Sequence, residues 1–234
     1  MKNPDALILF LKAPIAGEVK TRLQPELTPD EALNLYKAMV GDLLERLQKG
    51  NNFELILCFT PAHAEESLRD WLGDKFQYLA QTGDDLGQRL HHAFRWSFSQ
   101  NFSRTVAIGS DIPRLRLSDI EKTFSLLKEN QVVLGPCLDG GYYLIGLDKP
   151  RPALFRGINW STHQVFAQTM AKIREEALTV SQLDPLPDVD TYRDVLNLWQ
   201  FLGESDTDLT GEHERTYKIL NELFRQRVEK TNAD

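Results

Sequence analysis

Five groups of charged side chains, each beside glycine or proline, carry the chemistry open to this chain. Lys12, Lys20 and Arg22 lie in Lys12-Ala-Pro-Ile-Ala-Gly-Glu-Val-Lys-Thr-Arg-Leu23, directly after the apolar run Ala6-Leu-Ile-Leu-Phe-Leu11. Arginine grips oxyanions with a planar fork and lysine supplies a mobile point charge, so three cations beside a turn point to an anionic ligand, above all a phosphate. The plainer alternative is a solvated surface loop. Asp111 follows Thr105-Val-Ala-Ile108 within Gly109-Ser-Asp-Ile-Pro113. A carboxylate set beside phosphates needs compensation, which a bridging Mg²⁺ or Mn²⁺ supplies; as a local feature, Asp111 is instead a cap on the turn before Pro113. Asp188 and Asp190, in Leu183-Asp-Pro-Leu-Pro-Asp-Val-Asp190, offer a second carboxylate, and Asp190 before Thr191 also reads as a helix cap.

Two further segments carry candidates. Asp139-Gly140-Gly141 sets one short acid on a backbone free to reach positive φ, and Tyr142-Tyr143 behind it offers rings to stack on or hydrogen-bond a sugar or acceptor. Gln81-Thr-Gly-Asp-Asp-Leu-Gly-Gln-Arg89 joins a weak strand to a helix, so its amides and Arg89 lie where an anion or a base can be held, with Asp85 as the cap in the purely local reading. His91 and His92 are adjacent on that helix and do not share a face, which argues against a metal pair. Trp160-Ser-Thr-His163 reads as a staple and cap before a helix, or as a loop covering a site.

Elements able to position these groups alternate along the chain. The unbroken apolar run at 6–11 predicts a strand buried on both faces. Thr28-Pro29-Asp30-Glu31 combines a capping box with proline at the first helical position and opens an amphipathic helix over about 29–48. Strands at 53–59 and 76–80, a short helix at 64–72, a helix at 86–98 and a strand at 105–108 complete the alternation. Ser118-Asp-Ile-Glu121 is expected to cap the next helix. The runs 131–134 and 142–145 are strands whose seven-residue connection forms either a hairpin or a crossing over the sheet. Helices at about 162–175, 191–202 and 212–228 follow, with 183–190 as an extended linker. Strands alternating with helices predict an α/β fold, a Rossmann-like, mostly parallel sheet with helices on both faces. In a parallel sheet, the loops leaving the carboxyl ends of the strands form the ligand cleft.

The 234 residues suit one domain spanning 1–234 with C-terminal helices, and an apolar content of 41% suffices for its core. A net charge of -7 argues against nucleic acid as a partner, while a local cationic cluster still serves a small phosphate ligand. Cys58 and Cys137 have neither CxxC spacing nor a nearby histidine pair, and read as buried thiols. The six apolar residues after Met1-Lys-Asn-Pro-Asp5 are too few for a membrane span or a signal peptide, so the expected location is cytoplasmic.

Taken together, the motifs at 12–23, 83–89, 109–113, 135–146 and 188–191 resemble, in order, the bacterial nucleotide-diphospho-sugar transferase family called radical-SAM/selenodomain-associated glycosyltransferases. That resemblance implies the GT-A type nucleotide-diphospho-sugar transferase fold and a nucleotide or nucleotide-sugar ligand held with Mg²⁺ or Mn²⁺. On this basis Leu11, Lys12, Ala13, Gly17, Lys20, Arg22, Gly83, Gly87, Arg89 and Ser110 are expected to contact the nucleotide. Asp111 and Asp190 are expected on the metal, and Lys20, Arg22 and Asp139 at the reacting groups. The chain departs from many GT-A glycosyltransferases in having Ser110-Asp111-Ile112 where they carry Asp-x-Asp. A single carboxylate there is closer to the superfamily's nucleotidyltransferases, such as the molybdenum cofactor and phospholactate guanylyltransferases. The expected order of functions is glycosyl transfer from a nucleotide sugar, then nucleotidyl transfer with release of pyrophosphate, then a non-catalytic nucleotide-binding module.

Overall fold

A computed structural model describes residues 4–204 and 212–231. Its centre is a seven-stranded sheet in the order β3-β2-β1-β4-β6-β5-β7. The strands are β1 (Asp5–Lys12), β2 (Phe53–Thr60), β3 (Gln77–Ala80), β4 (Thr105–Gly109), β5 (Val132–Pro136), β6 (Tyr142–Leu147) and β7 (Val180–Gln182). Only β6 runs against its neighbours β4 and β5. The connection at 137–141 is therefore a hairpin, and its return strand lies between β4 and β5. Leu7, Leu9 and Leu11 of β1 enter the core on one face, while Ala6 and Ile8 enter it on the other. This double burial is why the run shows no polar alternation.

The helices are α1 (Pro29–Leu47), α2 (Glu65–Leu72), α3 (Leu86–Ser99), α4 (Leu117–Leu126), α5 (Val165–Glu175), α6 (Tyr192–Glu204) and α7 (Glu214–Thr231). Helices α1, α2 and α4 cover one face of the sheet, and α3 and α5 the other. A further apolar cluster joins α6 and α7 to the outer side of α1 through Leu35, Met39, Leu198, Leu202 and Leu220. The capping box of α1 forms as its sequence predicts: Thr28 Oγ1 accepts from the Glu31 amide at 3.2 Å, and Glu31 Oε2 accepts from the Thr28 amide at 2.7 Å. That of α4 is displaced. Its cap is Arg116, whose amide donates to Asp119 Oδ2 at 3.0 Å, so Ser118 already lies inside the helix.

Buried polar contacts tie the layers to the cleft. At the amino ends of β1 and β4, Arg104 meets Asp5 through both carboxylate oxygens, at 2.9 and 2.6 Å. From α1, the buried Arg46 donates to the carbonyls of Pro113 (2.6 Å) and Leu115 (3.3 Å), and to Glu212 O (2.6 Å). This guanidinium holds the segment leaving β4 against α1, and a truncated side chain would leave three carbonyls without their donor. Among the described residues, no helix is long and apolar enough to cross a membrane.

Candidate functional site

The crevice between β1 and β4 is the switch point of the sheet, since the chain leaves β1 towards β2 on one side while β4 occupies the other. Two loops border it: 12–22 after β1 and 110–116 after β4. The end of β1 is pinned by Tyr36 of α1, whose hydroxyl accepts from the Lys12 amide and donates to the Lys12 carbonyl, both at 2.9 Å. Burial, then the charge of Asp111, raises the Tyr36 phenol, and Ser110 lies within its hydrogen-bonding reach. From the end of β3, Gln81 Nε2 donates to Cys58 O at 2.9 Å and to Leu11 O at 3.3 Å, joining the ends of β1 and β2.

Lys20 and Asp111 meet in this crevice. The Lys20 Nζ lies 2.5 Å from Asp111 Oδ1 and donates to the carbonyl of Val189 at 2.5 Å. The lysine side chain is only 3% exposed, whereas that of Asp111 is 45% exposed, so the ammonium forms the inner wall and the carboxylate faces the opening. Lys20 also adopts a left-handed backbone conformation, φ 50°. A non-glycine residue in that region carries strain, here at the point that turns its ammonium inward. The linker closes the third side, with the Val189 amide donating to Asp111 O at 3.0 Å. Arg22 NH1 meets Asp190 Oδ2 at 2.8 Å near the surface, the Arg22 side chain being 72% exposed.

The two acids of the linker have different surroundings. Asp190 is engaged by Arg22 and is not the cap of α6: Thr191 and Asp194 form that cap, with Asp194 Oδ2 accepting from the Thr191 amide at 2.7 Å. Asp188 is half-buried, and its carboxyl is pushed up to about 6 by burial first and then by the charges of Asp139, Asp190 and Asp194. The Cys137 thiol is likewise raised, by burial and then by Asp188, Asp139 and Asp111. Acids from the β4 loop, the β5–β6 hairpin and the linker thus share one electrostatic neighbourhood. Among the described residues, no three histidine, cysteine or acidic side chains gather closely enough to form a metal cage.

Asp139 Oδ1 accepts from the Gly141 amide at 2.8 Å, so one of its oxygens shapes the hairpin. The hairpin needs its glycine: Gly140 has φ +92°, and a Cβ there would lie 2.1 Å from the His163 carbonyl oxygen. Gly140→Ala should therefore cost about 2 kcal/mol or more, lowering the thermal midpoint by roughly 4–8 °C in a melting experiment. An unchanged midpoint would show that the hairpin relaxes freely. Tyr142 is partly buried, packed against the core on the α3–α5 side of the sheet, while Tyr143 is buried and donates to Asp184 O at 3.2 Å.

At the start of α3, Asp85 caps the helix by accepting from the Gln88 amide at 2.7 Å, and Arg89 Nε folds back onto Gly83 O at 3.0 Å. Gly83 has φ +133°, and Gly87 lies directly beneath the Trp160 indole, where a Cβ would approach Nε1 to 2.4 Å. Trp160 is not the staple of α5, whose N-cap is Gln164; it packs between Gly87 and the Tyr142 ring. Lys12 is exposed at the rim, and Gly17, φ +85°, has open space around it. Sequence reading passed over Tyr36 and the Val189 carbonyl. The first looks like one more apolar position on α1, and the second is a backbone atom that no residue type announces.

This architecture has solved counterparts. A protein from Desulfovibrio desulfuricans G20, named provisionally as a nucleotide-diphospho-sugar transferase, superposes with a TM-score of 0.88 at 35% identity, covering 96% of this chain and 98% of the other. A CMP:2-keto-3-deoxy-manno-octonic acid synthetase solved with CTP shares the fold at a TM-score of 0.57 and 10% identity, covering 86% of this chain and 99% of the other. In sequence, the 2-phospho-L-lactate guanylyltransferase of Methanothermobacter thermautotrophicus (strain Delta H) is 29% identical over 205 residues, 85% of this chain and 83% of that enzyme. The family described as "Uncharacterized protein conserved in bacteria (DUF2064)" matches residues 43–162, from α1 through the β5–β6 hairpin to the Trp160 loop. This chain belongs to the DUF2064 family and has the α/β fold of the nucleotide-diphospho-sugar transferases and cytidylyltransferases.

Proposed function

We propose that this protein is an enzyme of the transferase class, a nucleotidyltransferase that joins an NTP to a phosphorylated acceptor, its whole chain acting as one domain. An acceptor phosphate oxygen bonds to the α-phosphorus, the bond from that phosphorus to the oxygen bridging to the β-phosphate breaks, and pyrophosphate leaves with the electron pair. The observation that carries this reading is the Lys20 ammonium, buried at the switch point between Asp111 and the Val189 carbonyl. A fixed ammonium there stabilises the charge that develops on the phosphates in the transition state. The similarity to a guanylyltransferase over 85% of the chain moves nucleotidyl transfer ahead of glycosyl transfer, the reverse of the order expected from the motifs.

In this reading Lys12, Lys20 and Arg22 bind the triphosphate, with the backbone of Leu11, Ala13 and Gly17 lining its path and Ser110 beside it. Gly83, Gly87 and Arg89 form the wall that meets the nucleoside. Magnesium uses one or two protein carboxylates together with phosphate oxygens and water, so Asp111 with one linker acid suffices for an ion that arrives with its nucleotide. Asp111 and the linker acids Asp188 and Asp190 are the hard oxygen donors that would hold Mg²⁺ or Mn²⁺. When bound, the ion neutralises part of the polyphosphate charge. Asp188 is the better placed of the linker pair, because Arg22 already neutralises Asp190. Asp139, with one oxygen outside its turn bond, orients the acceptor.

Product analysis decides between the readings. With GTP, Mg²⁺ and 2-phospho-L-lactate or a related phosphorylated hydroxy acid, pyrophosphate is expected in step with nucleotide consumption. ATP, CTP and UTP run alongside determine the base preference. Nucleoside diphosphate released from a nucleotide sugar, without pyrophosphate from any NTP, would establish glycosyl transfer instead. Saturable nucleotide binding with neither product would establish the silent module.

A further inference from the structure

Between α4 and the linker after β7, beyond the far end of the 110–116 loop, lies a second cavity, of about 170 Å³, lined by neither Lys20 nor Asp111, Asp139, Asp188 or Asp190 of the cleft. Arg114, Arg116 and Lys122 converge on it. The Arg114 guanidinium carbon lies over the Phe201 ring, 3.9 Å from its centroid, a cation–π contact that holds the group beside the cavity. Among the described residues, none of these three cations is within ion-pair distance of a carboxylate. Two acids do border the cavity, but Asp119 accepts from the Arg116 amide at 3.0 Å, and Asp184 enters the local network through its carbonyl, which accepts from Tyr143. Burial first, and then the charge of Arg116, holds the Arg114 guanidinium below its ordinary range.

His213 completes the wall. Burial, then the Arg46 charge, pushes its imidazole down to about 4, so the ring is neutral near pH 7. Arg46 donates to Nδ1 at 3.2 Å, and because arginine has no acceptor, the imidazole hydrogen resides on Nε2 as a further donor.

We propose that this cavity is an oxyanion-binding site separate from the cleft, taking a phosphate-type dianion clamped between the Arg114 and Arg116 guanidiniums. An oxyanion relieves the repulsion between the two cations and matches their planar forks with paired hydrogen bonds. Monocarboxylates carry half that charge and match the double fork less well. The ligand is either inorganic phosphate or the phosphate end of a small ester.

The test is calorimetric titration of the full chain with inorganic phosphate, sn-glycerol 3-phosphate and acetate, on the parent and on Arg114→Gln, Arg116→Ala and Lys20→Ala. Saturable phosphate binding is expected in the parent, persisting in Lys20→Ala, where the cleft has lost its central cation. Each arginine variant should weaken it by roughly tenfold to a hundredfold, the loss of a charged hydrogen-bonding partner. Arg116 is exposed, so its truncation leaves the fold intact, which a melting curve checks. Glycerol phosphate binding more tightly than phosphate would identify an ester ligand, and the reverse order the free ion. Absence of saturable binding in the parent, undiminished affinity in both arginine variants, or loss of binding in Lys20→Ala alone would overturn the proposal.

Discussion

Lys20→Ala is expected to lower kcat for nucleotidyl transfer by about 10²–10³, the cost of removing one fixed donor from developing phosphate charge. The argument rests on position more than on charge count. Lys12 and Arg22 are exposed, and water partly replaces what either contributes. Lys20 is almost wholly buried, with its ammonium between Asp111 and the Val189 carbonyl, and no water molecule reproduces a positive charge there. Lys20→Arg should rescue poorly, since a planar guanidinium does not fit a slot shaped around a compact ammonium. Steady-state pyrophosphate release, with a melting curve to confirm folding, makes the measurement. A kcat within about threefold of the parent would remove Lys20 from the chemistry.

Much of this molecule was readable in advance, and the exceptions have physical causes. The run Ala6–Leu11 and the Thr28 capping box declare themselves because their determinants lie within a few residues of each other. Strand β7 escaped because Val180-Ser-Gln182 is three residues long, and its strand character comes only from pairing with β5. The insertion of β6 between β4 and β5 is equally non-local, since a glycine turn permits a hairpin without stating where the returning strand will dock. Two caps were misplaced by one competing acid each. Asp119 serves Arg116 and Asp194 serves Thr191, in each case from the third residue onwards, while the local pattern pointed to Ser118 and Asp190.

At the candidate site, residue types announced the charges but not their partners. Lys20 and Asp111 each read as ligand-binding groups, and the structure shows them bound to one another. The cleft is therefore self-neutralised at its centre, and a nucleotide entering it with a cation exchanges partners instead of filling unpaired charges. The same accounting separates the linker acids. Asp190 has a guanidinium, whereas the Asp188 carboxyl is pushed up by burial and then by other acids, although the sequence presents the two as equivalent.

That asymmetry makes Asp188 the residue whose replacement should separate stability from activity. Its carboxyl is pushed up to about 6, above its ordinary value, so between the unfolded and folded values the native chain retains a proton that the unfolded chain has released. By linkage, this group's contribution is then most favourable at low pH and is lost as pH rises towards and through 6. Asp188→Asn mimics the protonated side chain, so the nucleotide-free variant should melt above the parent at pH 7–8, with the gap closing as pH falls below about 4. Turnover should move the opposite way, falling by about 10² because an amide cannot supply the anionic oxygen that a divalent ion requires. In the parent, Mg²⁺-dependent nucleotide affinity should weaken as pH drops through about 6, the value at which the Asp188 carboxylate takes up its proton. Melting curves from pH 4 to 8, with and without Mg²⁺ and nucleotide, read the stability and affinity effects, and steady-state pyrophosphate release reads the turnover. An Asn variant that melts below the parent at pH 8, or one that keeps full turnover, would show that Asp188 is held in place by contacts other than the acids around it and that the ion is bound elsewhere.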